Sequence, residues 1–251
     1  MLINLRNALM AGKRTPTAKD YVQSGLVFQL DGIENAGYGV HTDLISDGWK
    51  DLTGRAPNVD ITSNEVAWSS NALVRVGTGG KTVAYPNIDL TDPLSERTFE
   101  YVISAVGLPA KPTTTYYFSN MNSNGGNNRI LWKMPGPKLY NTLRSGAGDF
   151  QSHADATTLT QATTITMVGT GEYYSADRNW ARYYTNGEYV TSSAFGGNPI
   201  TSPSLSMFQD VRLWPESNTI RFHAIRLYSR ALTADEIARN YAIDKARFNL
   251  P

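Results

Sequence analysis

Side chains suited to sugar binding are concentrated in residues 171–182, "GEYYSADRNWAR". Aromatic faces stack on the C–H surfaces of sugars, while planar amide, carboxylate and guanidinium groups pair with the hydroxyls, usually on loops. The stretch supplies both kinds of group in Tyr173, Tyr174, Asp177, Arg178, Asn179 and Trp180. We therefore predict a glycan-binding loop between two strands. The alternative is that Trp180 begins the next strand and packs inward, with Asp177 and Arg178 as a solvated pair.

An asparagine-rich stretch, "NMNSNGGNNRILW", is a second candidate for sugar binding. It predicts a long loop from Ser119 to Asn128, with Trp132 behind it as a possible stacking surface. Asparagine is also a good turn residue, because its side chain bonds the local backbone and tolerates left-handed conformations. The alternative is a loop whose asparagines serve only the turn.

The acidic residues do not form a hydrolase pattern. Retaining glycoside hydrolases of the family 16 type carry two carboxylates on one strand face, written E-x-D-x-x-E. Glu100 lies in a predicted strand but is followed by Tyr101, Val102 and Ile103. The stretch "RVGTGGKT" resembles a phosphate-binding loop, yet Arg75 stands where the first glycine is needed. We read it as a glycine-rich turn and expect no enzyme activity.

Composition also restricts the partners. The 251 residues include 23 Lys and Arg against 22 Asp and Glu, so a formal net charge of +1 favours neither nucleic acid nor an anionic membrane as a partner. There is no cysteine, and His41, His153 and His223 are scattered, which leaves little for zinc. Aspartates 31, 43, 47 and 51 cluster in sequence, but without the spacing of a calcium loop. We expect no cofactor; calcium is conceivable but has no supporting motif.

The elements that must position these residues are mostly strands. Alternating apolar residues predict half-buried strands in "LVFQLDG", "TFEYVISA", "TTYYFS", "RILWK", "TITMV" and "SLSMF". "RYYTNGEYV" predicts a hairpin, because Asn186-Gly187 tolerates the positive φ angles of a type I′ turn. In "TIRFHAIRLY" the apolar parity changes between Phe222 and Ile225, which suits a bulge or burial on both faces. We expect Trp49 and Trp68 in the core.

One helix is predicted, at the C-terminal end, in "RLYSRALTADEIARNY". Thr233 and Glu236 have the spacing of a capping box, and Leu232 with Ile237 has that of a hydrophobic staple. Strands followed by one helix predict an all-β fold: an antiparallel sandwich, residues 21–251, with a short C-terminal helix.

Residues 1–20 form a predicted N-terminal arm and linker. Leu2, Leu5 and Leu9 recur at helical spacing, and "GKRTP" follows as a breaker. Polar residues interrupt any hydrophobic run, so the stretch does not read as an export signal. A short amphipathic helix gains stability only by burial against another surface. We therefore expect the arm to dock, with the alternative that it folds back onto its own sandwich.

The order of "GLVFQLDGIENAG", "WKDLTG", "TFEYVIS", "TITMVGTGE", "YTNGEYV" and "IRFHAIRLYSRALTADEIARNY" resembles the laminin G-like branch of the concanavalin A-like lectin/glucanase superfamily. The resemblance covers about residues 21–248, and its opening, with "DGIENAG" and "WKDLTG", is similar to domains in proteins of gut bacteria and their phages. The resemblance implies a two-sheet antiparallel jelly-roll sandwich whose closing helix is structural. The superfamily contains both glycan binders and glycoside hydrolases.

These observations favour a non-catalytic glycan-binding protein that serves as an adhesion or decoration protein of a phage particle, as a tail or head fibre component. Its expected partners are a bacterial surface polysaccharide and, through the arm, other virion proteins or further copies in a homo-oligomer. We expect assembly in the host cytoplasm and display on the virion. The alternative is a structural virion protein that makes only protein contacts; a glycoside hydrolase or a bacterial surface lectin fits the residues less well.

Overall fold

The computed structural model describes residues 14–34, 48–55, 66–69, 71–75, 83–87, 96–106, 116–121, 127–132, 138–145, 148–155, 163–169, 181–193, 204–207 and 219–251. The strands are β1 (Leu26–Asp31), β2 (Val66–Ser69), β3 (Ala72–Arg75), β4 (Val83–Asn87), β5 (Arg97–Val106), β6 (Tyr116–Met121), β7 (Asn127–Trp132), β8 (Lys138–Ser145), β9 (Gly148–Asp155), β10 (Thr163–Gly169), β11 (Ala181–Thr185), β12 (Glu188–Ser193), β13 (Ser204–Met207) and β14 (Thr219–Tyr228). A turn of 3-10 helix, Ala18–Asp20, precedes them, and the helix α1, Ala234–Phe248, follows.

The described strands form two antiparallel sheets. The eight-stranded sheet has the order β12-β11-β10-β5-β14-β3-β2, with β1 also paired to β14; the six-stranded sheet has the order β4-β13-β6-β7-β8-β9. Strand β9 of the smaller sheet contacts β11 and β12 of the larger one. This confirms the predicted all-β sandwich with one C-terminal helix.

Strand β14 organises the larger sheet. It pairs along its whole length with β5 on one side. On the other side its first half pairs with β3 and its second half with β1. Gly32 lies where β1 and β3 meet, and a Cβ atom there would come within 2.1 Å of the Asn71 carbonyl oxygen. Only glycine fits this junction.

Three local predictions are confirmed. Asn186 and Gly187 both have positive φ, 52° and 77°, in a two-residue turn between β11 and β12. The register of β14 shifts between Phe222 and Ala224, which places a bulge at the parity change. Thr233 and Glu236 form the capping box of α1, and Leu232 packs with Ile237 in one cluster.

The prediction of half-buried strands is wrong for β1, β5 and β10, whereas β14 is buried on both faces, as its change of apolar parity allowed. The described side chains of these four strands are buried on both faces of the sheet, apart from the half-buried Val27 and Arg221. One face carries apolar residues that line the sandwich interior, namely Phe28, Leu30, Phe99, Tyr101, Ile103, Ile165, Ile225 and Leu227. The other lies under α1, and we call it the helix-covered face. Its polar residues pair with one another. The alternation of apolar and polar residues in these strands is therefore the same as in a strand with one solvent-exposed face.

Two further predictions need adjustment. Strand β6 continues to Met121 and β7 begins at Asn127, with Asn120 opposite Asn128. The predicted loop from Ser119 to Asn128 is therefore wrong in its bounds, because the strand pairing extends into its asparagines. Trp49 is fully buried, as predicted, whereas Trp68 is half-buried and packs edge-on against Trp49 at a ring separation of 5.4 Å.

Candidate functional site

The helix-covered face contains a buried network of charged residues. Arg226 on β14 donates from Nε to Glu100 on β5 at 2.8 Å, and from Nη1 and Nη2 to Asp244 on α1 at 2.8 and 2.6 Å. All three side chains are at most 1% exposed. Asn240 of α1 adds a bond to Glu100 at 2.8 Å. The helix is thus joined to the centre of the sheet by charge-assisted hydrogen bonds.

A second arginine extends this network toward the N-terminal side. Arg247 donates to both carboxylate oxygens of Asp31 at 2.7 and 2.9 Å and to Glu34 at 3.0 Å. Tyr21 lies between the two arginines: its ring centre is 4.0 Å from the Arg226 guanidinium carbon, and its hydroxyl donates to Asp244 at 2.7 Å. Buried charges are tolerated only when they are paired in this way.

Burial raises the pKa of two carboxylates of the network, Glu100 and Asp31. It raises the pKa of Glu100 above its usual range, although the positive charge of Arg226 acts in the opposite direction. The pKa of Asp31 is raised for the same reason, against the opposing effect of Arg247. No substrate can reach Glu100 at 0% exposure. The arrangement fixes α1 and the N-terminal residues to the sheet; it does not expose a reactive group.

Sequence reasoning missed this network, apart from placing Glu100 on a strand and Asp31 in an acidic cluster. The available signal was a charged residue within each of three largely apolar strands, Asp31, Glu100 and Arg226. It was accompanied by Asn240, Asp244 and Arg247 at helical spacing on the buried face of α1. Such residues ordinarily indicate a solvated face.

The segment 48–55, which we call the edge segment, runs beside the edge of β1 that faces away from β14. The Gln29 N–H donates to Asp51 Oδ1 at 2.8 Å, and the Leu52 N–H donates to the Gln29 carbonyl at 2.9 Å. Arg55 Nη1 donates to the Leu26 carbonyl at 2.7 Å, and Trp49 Nε1 to the Asp31 carbonyl at 3.0 Å. The motif "WKDLTG" therefore satisfies backbone groups that an open edge strand would expose.

A cleft of about 760 Å³, which we call the edge cleft, opens between the edge segment and residues 18–23. Leu26 and Gln29 of β1 line its base. Its charged and amide lining includes Lys19, Gln23, Glu34, Lys50, Asp51 and Arg55. Its volume lies within the range of small-molecule sites. Sequence reasoning did not assign this cleft, because the walls come from segments about 30 residues apart.

The predicted glycan-binding loop falls mostly outside the described residues, which exclude 170–180 and so all of Tyr173, Tyr174, Asp177, Arg178, Asn179 and Trp180. Its flanks are described: Gly169 ends β10, Ala181 begins β11, and the two are paired in register. The loop thus starts and ends at the same end of two paired strands of the larger sheet.

The other predicted site residues lie on β7 or outside the described residues. Trp132 ends β7, five residues along the strand from Asn127, which is about 17 Å. Leu2, Leu5 and Leu9 lie outside the described residues, as do Asp43 and Asp47. Among the described residues no group of three His, Cys, Asp or Glu side chains is placed to hold a metal, and no helix is long and apolar enough to cross a membrane.

Neither a protein-family profile nor a curated protein sequence matches the chain. Solved structures do match its fold. The botulinum neurotoxin serotype D binding domain is 13% identical with a TM-score of 0.64, over 87% of this chain and 51% of that one. The receptor binding domain of botulinum neurotoxin D is 12% identical with a TM-score of 0.65, over 87% and 52%. The chain spans about half the length of these structures.

A sialidase of Trypanosoma rangeli in complex with sialic acid also matches, with 14% identity and a TM-score of 0.57, over 94% of this chain and 35% of that one. At such low identity the likeness defines the class of fold, a β-sandwich of the kind found in binding domains, and not the function.

Proposed function

We propose that the chain is a non-catalytic glycan-binding domain of a phage particle, displayed on a tail or head fibre, where it recognises a bacterial surface polysaccharide. The observation that carries the glycan-binding part is the β-sandwich itself: the same arrangement occurs in botulinum neurotoxin receptor binding domains and in a sialidase solved with sialic acid. The laminin G-like resemblance of the sequence points to the same class.

The proposed contact surface is the loop that joins β10 to β11, with Trp180 and Tyr173 as stacking platforms. Support comes from its anchors, because Gly169 and Ala181 are register partners and the described side chains of β10 and of its neighbour β5 are buried. Binding residues are commonly loop residues that a rigid scaffold positions.

The absence of catalysis is part of the same proposal. Glu100, the strand acid tested above against the hydrolase pattern, accepts hydrogen bonds from Arg226 and Asn240 beneath α1. A general acid must reach the glycosidic oxygen, and a carboxylate sealed in an ion network does not.

The phage role rests on the sequence of the arm. Its leucines, Leu2, Leu5 and Leu9, would form an apolar stripe that docks onto another virion protein or onto neighbouring copies of the chain. Residues 17–22 already pack on the sandwich: the Ala18 N–H donates to Glu34 at 2.8 Å and the Val22 N–H to Asn240 at 3.0 Å. The docking function is therefore assigned to residues 1–13.

Binding to immobilised bacterial polysaccharides tests the function, with Trp180→Ala as the probe. We expect Trp180→Ala to weaken binding by about tenfold or more with an unchanged Tm. The matched control is Tyr189→Ala, since Tyr189 is a 56% exposed aromatic on β12, near the hairpin turn and away from Ala181. Tyr189→Ala should bind normally.

Other outcomes would change the assignment. Unfolding of Trp180→Ala would place Trp180 in the core and remove the loop as the site. Failure of the wild-type protein to bind any polysaccharide, while it still joins the particle, would favour the purely structural virion role. Release of sugar fragments by the pure protein would overturn the non-catalytic proposal.

A further inference from the structure

The edge cleft is preformed. Its edge-segment wall is fixed to β1 through Asp51 and Arg55, and its opposite wall through Gln29, whose Nε2 donates to the Ala18 carbonyl at 2.9 Å. Leu26 and Gln29 at its base are buried. A site whose walls are already held in place loses little conformational entropy when a ligand enters.

Among the described residues that line the edge cleft, the charged side chains are the cations Lys19, Lys50 and Arg55 and the carboxylates Glu34 and Asp51. Both carboxylates are occupied by the protein itself. Glu34 accepts from the Ala18 N–H and from Arg247, at 2.8 and 3.0 Å.

Asp51 is occupied in the same way. It accepts from the Gln29 N–H at 2.8 Å, from the Thr53 hydroxyl at 2.6 Å and from the Arg55 N–H at 3.0 Å. These bonds hold the carboxylates in the walls, while Lys19 and Arg55 are exposed at the surface. A guanidinium has five N–H donors, so the bond from Arg55 to Leu26 positions the group without using up its donors. The cleft therefore presents positive charge to a ligand.

The cleft lining also limits how a ligand can be recognised. None of the described residues that line it is aromatic. The Gln23 amide nitrogen already donates to the Lys19 and Tyr21 carbonyls, at 3.3 and 3.0 Å. Recognition by the described lining therefore comes from the charged groups of Lys19 and Arg55, which are exposed. A carboxylate is matched by such donors through charge-assisted hydrogen bonds, which are about twice as strong as neutral ones.

We propose that the edge cleft binds the carboxylate of an acidic sugar residue, such as a uronic or sialic acid unit, within a polysaccharide. This rests on the proposed glycan-binding function and adds a second site to it. The strands next to the two sites are separate, because β1 lies three strand intervals, about 14 Å, from β10.

Calorimetric titration of the full chain tests the site with trigalacturonate, a hyaluronan tetrasaccharide and sialyllactose, and with maltotriose as a neutral sugar. We expect at least one acidic sugar to bind, with affinity that falls as salt rises. Lys50→Gln and Lys19→Gln should each weaken this binding by about tenfold. Lys245→Gln, which removes one charge from an exposed position on α1, should change it less than twofold.

The outcomes separate this inference from the proposed function. Binding of neutral polysaccharides without binding of any acidic sugar would overturn the cleft assignment and leave the glycan-binding function intact. No binding to any glycan would overturn both. Acidic-sugar binding that Lys50→Gln and Lys19→Gln reduce no more than Lys245→Gln does would place the acidic site elsewhere. Equal competition by inorganic phosphate would define a general anion site and remove the sugar assignment.

Discussion

Acid should destabilise the fold through His223, a buried residue at the bulge of β14. Its Nε2 lies 2.9 Å from the Ser104 hydroxyl, its Nδ1 lies 3.1 Å from the Asn71 side-chain oxygen, and its ring meets the edge of Phe248. Burial lowers the pKa of His223 to about 4. The folded protein therefore keeps this imidazole neutral at pH values where the unfolded chain, with an ordinary histidine pKa near 6.5, binds a proton.

The direction and magnitude of this change in unfolding free energy follow from proton linkage. Between about pH 6.5 and pH 4 the unfolded chain holds one more proton than the folded chain at this position, so the free energy of unfolding falls as the pH falls. The contribution is fully present above about pH 6.5. With these two pKa values, the loss between pH 7 and pH 5 is about 2 kcal/mol.

Urea unfolding at pH 7 and pH 5 measures this loss, and His223→Gln removes the titrating group. The difference in unfolding free energy between wild type and His223→Gln should shrink by about 2 kcal/mol on going from pH 7 to pH 5, because all other groups are common to both. Phe248→Leu is the matched control: it disturbs the same packing and should keep the wild-type pH dependence.

A change of less than about 0.5 kcal/mol in that difference would refute the reasoning. A nuclear magnetic resonance titration of the His223 ring with a midpoint near 6.5 would also refute the reasoning, since that value belongs to a solvated imidazole.

Other predictions concern stability and assembly. Thr233→Ala should lower the free energy of unfolding by about 1 kcal/mol in urea, because the capping bond to the Glu236 N–H is lost, while Thr233→Ser should be neutral; a loss of glycan affinity at unchanged stability would contradict a purely structural cap. Arg247→Ala should lower the free energy of unfolding by about 3–5 kcal/mol, since the buried Asp31 carboxylate loses its guanidinium partner. Arg182→Ala, at an exposed position, should lower it by under about 0.5 kcal/mol; equal effects would contradict the network. Deletion of residues 1–13 should leave a folded monomer that keeps glycan binding but no longer joins the particle or oligomer; a large loss of stability would show that the arm belongs to the core.

The sequence alone determined features that are encoded within a few neighbouring residues. The Asn186-Gly187 turn depends on the φ angles that those two residues tolerate, and the capping box depends on two side chains three positions apart. The parity change in β14 marked its bulge for the same reason. Together with the pattern of strands, these local signals were enough to predict an all-β sandwich.

The edge cleft and the buried network of charged residues depend on residues that are far apart in the chain. Asp31 and Arg247 are 216 positions apart, and Glu100 and Arg226 are 126 apart, yet each pair is in hydrogen-bond contact. An isolated charged residue on a strand looks the same in sequence whether it faces water or a buried partner.

Only the tertiary structure decided this difference, because it places α1 and residues 17–22 over the polar face of the larger sheet. The edge cleft has the same origin, since its two walls meet only after the edge segment has bonded to β1. Local sequence specifies backbone conformation, whereas desolvation and charge pairing depend on which distant surface covers a residue.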